Sequence, residues 1–111
     1  MTVVETERFL RDAESLMPPA VRAELVRHLA ANPEAGDIMP DTGGVRKLRW
    51  ALPGRGKRGG ARVIYYYHNE GVPLFLLAAY GKNEKANLSM AERNAMKQLV
   101  PLLFRAYRAG K

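Results

Sequence analysis

Between residues 43 and 68 the chain carries seven cations, Arg46, Lys47, Arg49, Arg55, Lys57, Arg58 and Arg62, and no acid. That block alone equals the formal net charge of the whole protein, +7. Residues 1–42 hold four basic and eight acidic residues, and residues 69–111 hold seven basic and three acidic ones. A dense, acid-free block attracts polyanions, because each Lys or Arg seated on a phosphate releases a condensed counterion. A solvated surface that merely keeps a protein dispersed is the ordinary alternative, but such surfaces intersperse both signs.

Other chemistries find little support. There is no cysteine, so thiol catalysis, thiolate metal sites and disulfides are excluded, in keeping with a reducing, cytoplasmic setting. His28 falls on a helical stretch and His68 at a strand end, and neither has a second ligand at metal spacing. A surface or core-edge histidine is the plain explanation of each. No pair of carboxylates stands near the basic block, which argues against two-acid hydrolysis. Ser15 and Ser89 lack a local Ser/His/Asp arrangement. The run Gly54–Gly60 (GRGKRGG) resembles a phosphate loop only loosely: it lacks the closing Gly-Lys-Ser/Thr and joins two strands. Neither a metal nor a cofactor is expected.

The elements that must position the cations follow from periodicity. At 111 residues the chain reads as a single domain spanning residues 1–111. No apolar run approaches the roughly 20 residues of a membrane span, and the first residues lack a basic-then-apolar leader. Thr2–Glu5 reads as a short strand. Thr6 caps a helix with Phe9, Leu10, Ala13, Leu16 and Met17 on one face. Pro18 and Pro19 break it and open a second helix with Val21, Leu25, Leu29 and Ala30 as its stripe, ended at Asn32-Pro33. Residues 35–44 are turn-rich, with a brief strand at Asp37–Met39. In Val45–Leu52, Leu48, Trp50 and Leu52 share one strand face and Val45, Lys47, Arg49 and Ala51 the other. Pro53–Gly60 is a hairpin loop. Arg62–His68 is a strand with Val63, Tyr65 and Tyr67 on one side and Arg62, Ile64, Tyr66 and His68 on the other. Val72–Tyr80, nearly all apolar, is a strand buried on both faces. Ser89 and Glu92 form a capping box for the last helix, which Pro101 should kink or split. The short turns imply antiparallel pairing. The expected fold is α+β: an antiparallel sheet of about four strands with two N-terminal helices and a C-terminal helix packed on it.

If those strands are neighbours, Lys47, Arg49 and Arg62, the hairpin cations Arg55, Lys57 and Arg58, and Lys82 and Lys85 just past the last strand converge on one concavity, with Arg46 close by. Tyr66, and with it Tyr80, offers a ring on which a base can stack. Tyr65 and Tyr67 point the other way, toward the core. Such a surface can cleave RNA without a metal. The RNA's own 2′-OH attacks the adjacent phosphate, and fixed cations stabilise the added negative charge. A lysine among other cations has its charged form disfavoured and can act as a base. DNA, lacking the 2′-OH, is not cut this way.

The run GGVRKLRWALPGRGKRGGARVIYYYHNEG, followed by LAAYGKNEKANLSMAER, resembles the RelE/HigB superfamily of type II toxins, and within it the HigB-type branch. The similarity covers about residues 30–100, and the element order agrees throughout. The resemblance implies a ribosome-dependent endoribonuclease, an mRNA interferase that cuts mRNA in the decoding A site amid ribosomal RNA and inhibits translation. It also implies a cognate antitoxin, with operator DNA bound by the toxin–antitoxin complex alone. Carried over by position, Lys47 and Arg49 match the family's basic pair on the strand before the hairpin, and Arg62 the arginine that contacts the scissile phosphate. Lys82 and Lys85 match basic positions after the last strand, and Lys57 and Arg58 the basic loop of this branch. Asn83 stands where some relatives carry an arginine, and Leu88-Ser89 where some carry a tyrosine active in proton transfer. The general acid and base therefore stay open among Lys47, Lys82, Lys85 and Tyr66. Two other readings stay open beside the nuclease: a basic protein that docks on ribosomal RNA without cutting, and a corepressor that acts only with its antitoxin.

Overall fold

The computed structural model describes residues 1–53, 60–82, 84 and 87–109. Its elements are β1 (Val3–Glu5), α1 (Glu7–Leu16), α2 (Pro19–Ala31), β2 (Asp37–Ile38), β3 (Val45–Trp50), β4 (Ala61–Tyr66), β5 (Leu74–Gly81) and α3 (Met90–Ala109). The strands form one sheet in the order β1-β5-β4-β3-β2. The fold is the expected α+β type, with five strands where about four were anticipated. The fifth is the brief strand expected at Asp37–Met39, formed as the two-residue β2, which lies antiparallel against β3 as an edge.

Strands β2 to β5 pair antiparallel, as their short connections require, but β1 lies parallel to β5. The two chain segments are far apart in sequence, so no tight turn dictates their direction. Thr6 makes the change from β1 to α1. Its hydroxyl donates to the Leu76 carbonyl at 2.8 Å and accepts the Phe9 N–H at 3.3 Å, so one side chain ties β1 to β5 and caps α1. Pro19 stands in the first turn of α2, where a missing N–H costs nothing, and Asn32 ends that helix.

Two cores result, one on each face of the sheet. Phe9 and Ala13 of α1 and Leu25 and Leu29 of α2 pack on Val63, Tyr65, Leu74 and Leu76. On the other face Leu88, Met96 and Val100, at the start and along α3, cover Val45, Ile64, Tyr66, Phe75 and Leu77. Fully burying a Leu or Phe stabilises by roughly 1.5–3 kcal/mol. This explains why β5, sandwiched between both cores, is buried along its whole length. A bulge interrupts its alternation: Ile64 faces Ala78 but Tyr65 faces Leu76, so Leu77 is supernumerary and joins Ala78 on the α3 side.

The capping box at the start of α3 is formed in both directions, Ser89 N–H to Glu92 Oε1 at 3.0 Å and Glu92 N–H to Ser89 Oγ at 3.1 Å. Pro101, expected to kink or split the last helix, does not split it. It sits on the exposed side of a continuous α3.

Tyr65 is the largest fully buried side chain, and its hydroxyl is doubly engaged: it accepts the Gly36 N–H at 2.8 Å and donates to the Pro33 carbonyl at 2.9 Å. A Cβ on Gly36 would stand 2.9 Å from both the Tyr65 ring and the Lys47 carbonyl, so the turn after α2 is pressed against this tyrosine. Tyr65→Phe leaves two backbone groups without their partner and is expected to lower the unfolding free energy by about 1–3 kcal/mol at an unchanged urea m-value. A loss below about 0.5 kcal/mol, the range of ordinary surface changes, would contradict this role.

Candidate functional site

Register decides which cations share a surface. Across the sheet Lys47 faces Ile64 and then Ala78, and Arg49 faces Arg62 and then Tyr80. Directly opposed residues of antiparallel strands point to the same side. Lys47, Arg49, Arg62 and Tyr80 therefore lie on the α3 face, at the end nearer the β3–β4 hairpin. The α3 helix enters beside Lys47, whose Nζ is 3.5 Å from Asn87 Oδ1. It then runs toward the opposite end, where Phe104 meets His68 with ring centroids 4.6 Å apart. The row Arg49–Arg62–Tyr80 thus lies ahead of the helix N-terminus.

Arg62 forms the floor of this site. It is 8% exposed, and its Nη1 donates to the Ala61 carbonyl at 3.5 Å. All eleven acidic side chains lie among the described residues, and none pairs with Lys47, Arg49 or Arg62; the ion pairs among the described residues join Arg8 to Asp12 and Glu92, and Arg22 to Glu5. Withdrawing an ion from water still carries a penalty of several kcal/mol after relaxation, and a carbonyl at that distance returns little of it. An arrangement of this kind is suited to an anion supplied from outside. Among the described residues no three His, Asp or Glu side chains come together as a metal-ligating group.

Tyr80, cross-strand partner of Arg62, is 3% exposed. Burial raises its hydroxyl pKa; the Arg62 charge works against that rise, Glu92 adds to it and Arg93 lowers it. The phenol therefore stays protonated beside the guanidinium.

The other expected site residues divide. Lys82 is exposed, and its backbone N–H donates to the Gly60 carbonyl at 3.3 Å, which brings it to the hairpin end of the sheet. Arg46 is separated from the group. It faces Tyr65 on the opposite side of the sheet, where its Nη1 donates to Gly36 O at 2.8 Å and Glu34 O at 3.3 Å and clamps the turn after α2. Tyr66 shares the face of Arg62 but falls within the core that α3 covers. At 7% exposed it lies under α3, and its hydroxyl is 3.1 Å from His68 Nδ1, so its ring packs in the core instead of offering a plane to a base. Arg55, Lys57, Arg58 and Lys85 lie outside the described residues, as does Asn83.

Sequence reasoning missed the frame around the site. Asp12 of α1 accepts the Ala79 N–H of β5 at 3.0 Å, just before Tyr80. Arg8 bridges from Asp12 (3.7 Å) to Glu92 of α3 (3.6 Å). Such partly exposed pairs are worth about 0–1 kcal/mol each, so their contribution is alignment more than stability. Arg93, not among the expected site residues, points from the first turn of α3 to the Pro40 carbonyl at 3.4 Å. The capping box was the available signal, because it fixes where that turn begins.

Tyr65, Tyr66 and Tyr80 all have hydroxyl pKa values raised above the ordinary 10.0, in each case chiefly by burial. Above pH 10.0 the unfolded chain releases phenolic protons that the folded chain keeps, so the folded state binds more protons. The tyrosine contribution to stability is therefore fully present below the ordinary value and is lost as pH rises toward the folded values, by up to about 1.4 kcal/mol per pH unit for each tyrosine. In an alkaline titration part of the phenolate absorbance is expected to appear only together with unfolding. Complete phenolate formation at the ordinary value, with the fold intact, would refute the burial argument.

In comparison with known families, residues 1–109 match the profile of the family described as RelE toxin of RelE / RelB toxin-antitoxin system. The match spans both cores and every element that frames Arg62. It assigns the protein the role of toxin in a toxin–antitoxin pair, with an antitoxin as its partner. The chain belongs to the RelE toxin family.

Proposed function

We propose that this toxin is a ribosome-dependent, metal-independent endoribonuclease that cleaves translated mRNA and so inhibits translation. The observation that carries the reading is Arg62, buried and without a carboxylate, in a row with Arg49 and beside Lys47. A phosphodiester laid on this face meets guanidinium donors matched to its non-bridging oxygens.

In the proposed reaction the 2′-oxygen attacks the adjacent phosphorus and the bond to the 5′-oxygen breaks, leaving a 2′,3′-cyclic phosphate and a 5′-hydroxyl. The 2′-OH gives up one proton and the leaving oxygen takes one. Arg62 holds the phosphate in line and neutralises the charge that grows on its oxygens. Arg49 and Lys47 add field from the neighbouring strand. Lys47, on the face of Arg62, and Lys82, just past β5, are the candidate amines for proton transfer, and Lys85 joins them by sequence position. Arg55, Lys57 and Arg58 serve as backbone contacts in the hairpin loop, as the resemblance to the HigB-type branch suggests. The setting is the cytoplasm, with mRNA held in the ribosomal A site against ribosomal RNA. The antitoxin neutralises the toxin, and operator DNA is bound by the complex alone.

The test is a reconstituted translation system in which new mRNA 5′ ends are mapped by primer extension, with ribosome-free mRNA as control. Cleavage is expected to require ribosomes and to fall by about 10²–10³-fold in Arg62→Ala, the usual loss for one donor to a developing oxyanion. Arg62→Lys should recover part of that loss, since it restores the charge but not the two-pronged geometry. Intact mRNA together with steeply salt-dependent ribosome binding would replace the nuclease with a non-cleaving ribosome-binding protein.

A further inference from the structure

Arg93 is the fourth residue of α3, and its direction is set by the Ser89–Glu92 capping box immediately before it. Glu92 leans toward α1, where Arg8 meets it at 3.6 Å. Arg93 leans the other way, toward the β2–β3 connection, where its Nη1 reaches the Pro40 carbonyl at 3.4 Å. That is the side of the site on which Lys47 contacts Asn87, on the loop leading into the same helix. Arg93 is half-buried, and among the described residues a neutral carbonyl at long range is its hydrogen-bond acceptor. None of the acidic side chains pairs with it, so its charge is uncompensated, like that of Arg62. Glu92, its neighbour in the same turn, also acts on the Tyr80 hydroxyl, after Arg62 and ahead of Arg93, so the start of α3 brings charges of both signs to bear on that hydroxyl.

We propose that Arg93 is an RNA-backbone contact that binds a phosphodiester neighbouring the one taken by Arg62, on the Lys47 side of the site. The assignment rests on the RNA-cleaving reading above and adds a residue from α3 to a surface otherwise built from strands. The strand then lies across the N-terminal end of α3, with one phosphate on β4 and the next on the helix. Arg105, exposed on the same helix about three turns further along, has no place on this path.

Binding of a short single-stranded RNA to the full chain, measured over a series of salt concentrations, tests this with Arg93→Gln, Arg93→Lys and Arg105→Gln. Glutamine keeps a donor for Pro40 but removes the charge, so it separates an RNA contact from a purely structural bond. Arg93→Gln is expected to weaken binding several-fold and to reduce the slope of log K against log salt by about 0.7, one phosphate contact on a single strand. Arg93→Lys should keep the wild-type slope, and Arg105→Gln should keep both slope and affinity. Wild-type slope in Arg93→Gln, with RNA still bound, overturns the Arg93 assignment and leaves the Arg62 site standing. A wild-type chain that neither binds this RNA nor cuts mRNA on ribosomes overturns the nuclease reading, and the Arg93 contact with it.

Discussion

A guanidinium drawn largely out of water is stabilised by an anion beside it, and Arg62, 8% exposed, has none of the chain's own. The surrounding structure holds it there all the same. Its strand is hydrogen-bonded on both sides, and its cross-strand neighbours are Arg49 and Tyr80. Left to itself such a side chain would turn toward solvent. The penalty for keeping it is carried by the two cores on either face of β4, whose six residues are all buried. A buried cation with no carboxylate beside it is a feature that sequence-level rules of polar satisfaction would reject, and functional sites are where such rules give way.

The frame works through β5. Thr6 and Asp12, at the start and within α1, occupy hydrogen-bonding groups of that strand at Leu76 and Ala79. These contacts settle the edge of the sheet beyond the short β1 and fix the backbone next to Tyr80. Arg8 continues the line to Glu92, so α1 on one face and the first turn of α3 on the other are joined around the edge of the sheet. The acidic N-terminal third thereby supports the cationic surface from behind without neutralising it.

Much of this was legible in the sequence because strand alternation is strict. Val45, Lys47 and Arg49 on one side and Leu48 and Trp50 on the other follow from a period of two, and so does the separation of Tyr66 from Tyr65. Arg46 was expected close to the cationic surface, although the same rule, carried through, turns it to the back of β3, where it clamps the turn after α2. What alternation cannot show is which part of a face is covered. The apolar stripe of α3 says that the helix packs, not where it starts or which way it runs. That path decides that Tyr66 is enclosed near His68 and Phe104 and that Arg93 meets Pro40. The parallel pairing of β1 and the bulge at Leu77 escaped for a related reason, since both are properties of contacts between distant segments. Legibility ends where the argument passes from one element to the position of another.

Whether Arg62, buried and without a carboxylate, is there for the proposed RNA phosphate is tested most directly by the stability and the mRNA cleavage of Arg62→Met side by side. Methionine fills similar space without charge. The variant is expected to unfold at higher urea, with a gain of about 1–4 kcal/mol, while ribosome-dependent cleavage is lost. An Arg62→Met protein that is less stable than the wild type, or that cuts mRNA as well as the wild type does, would contradict the account.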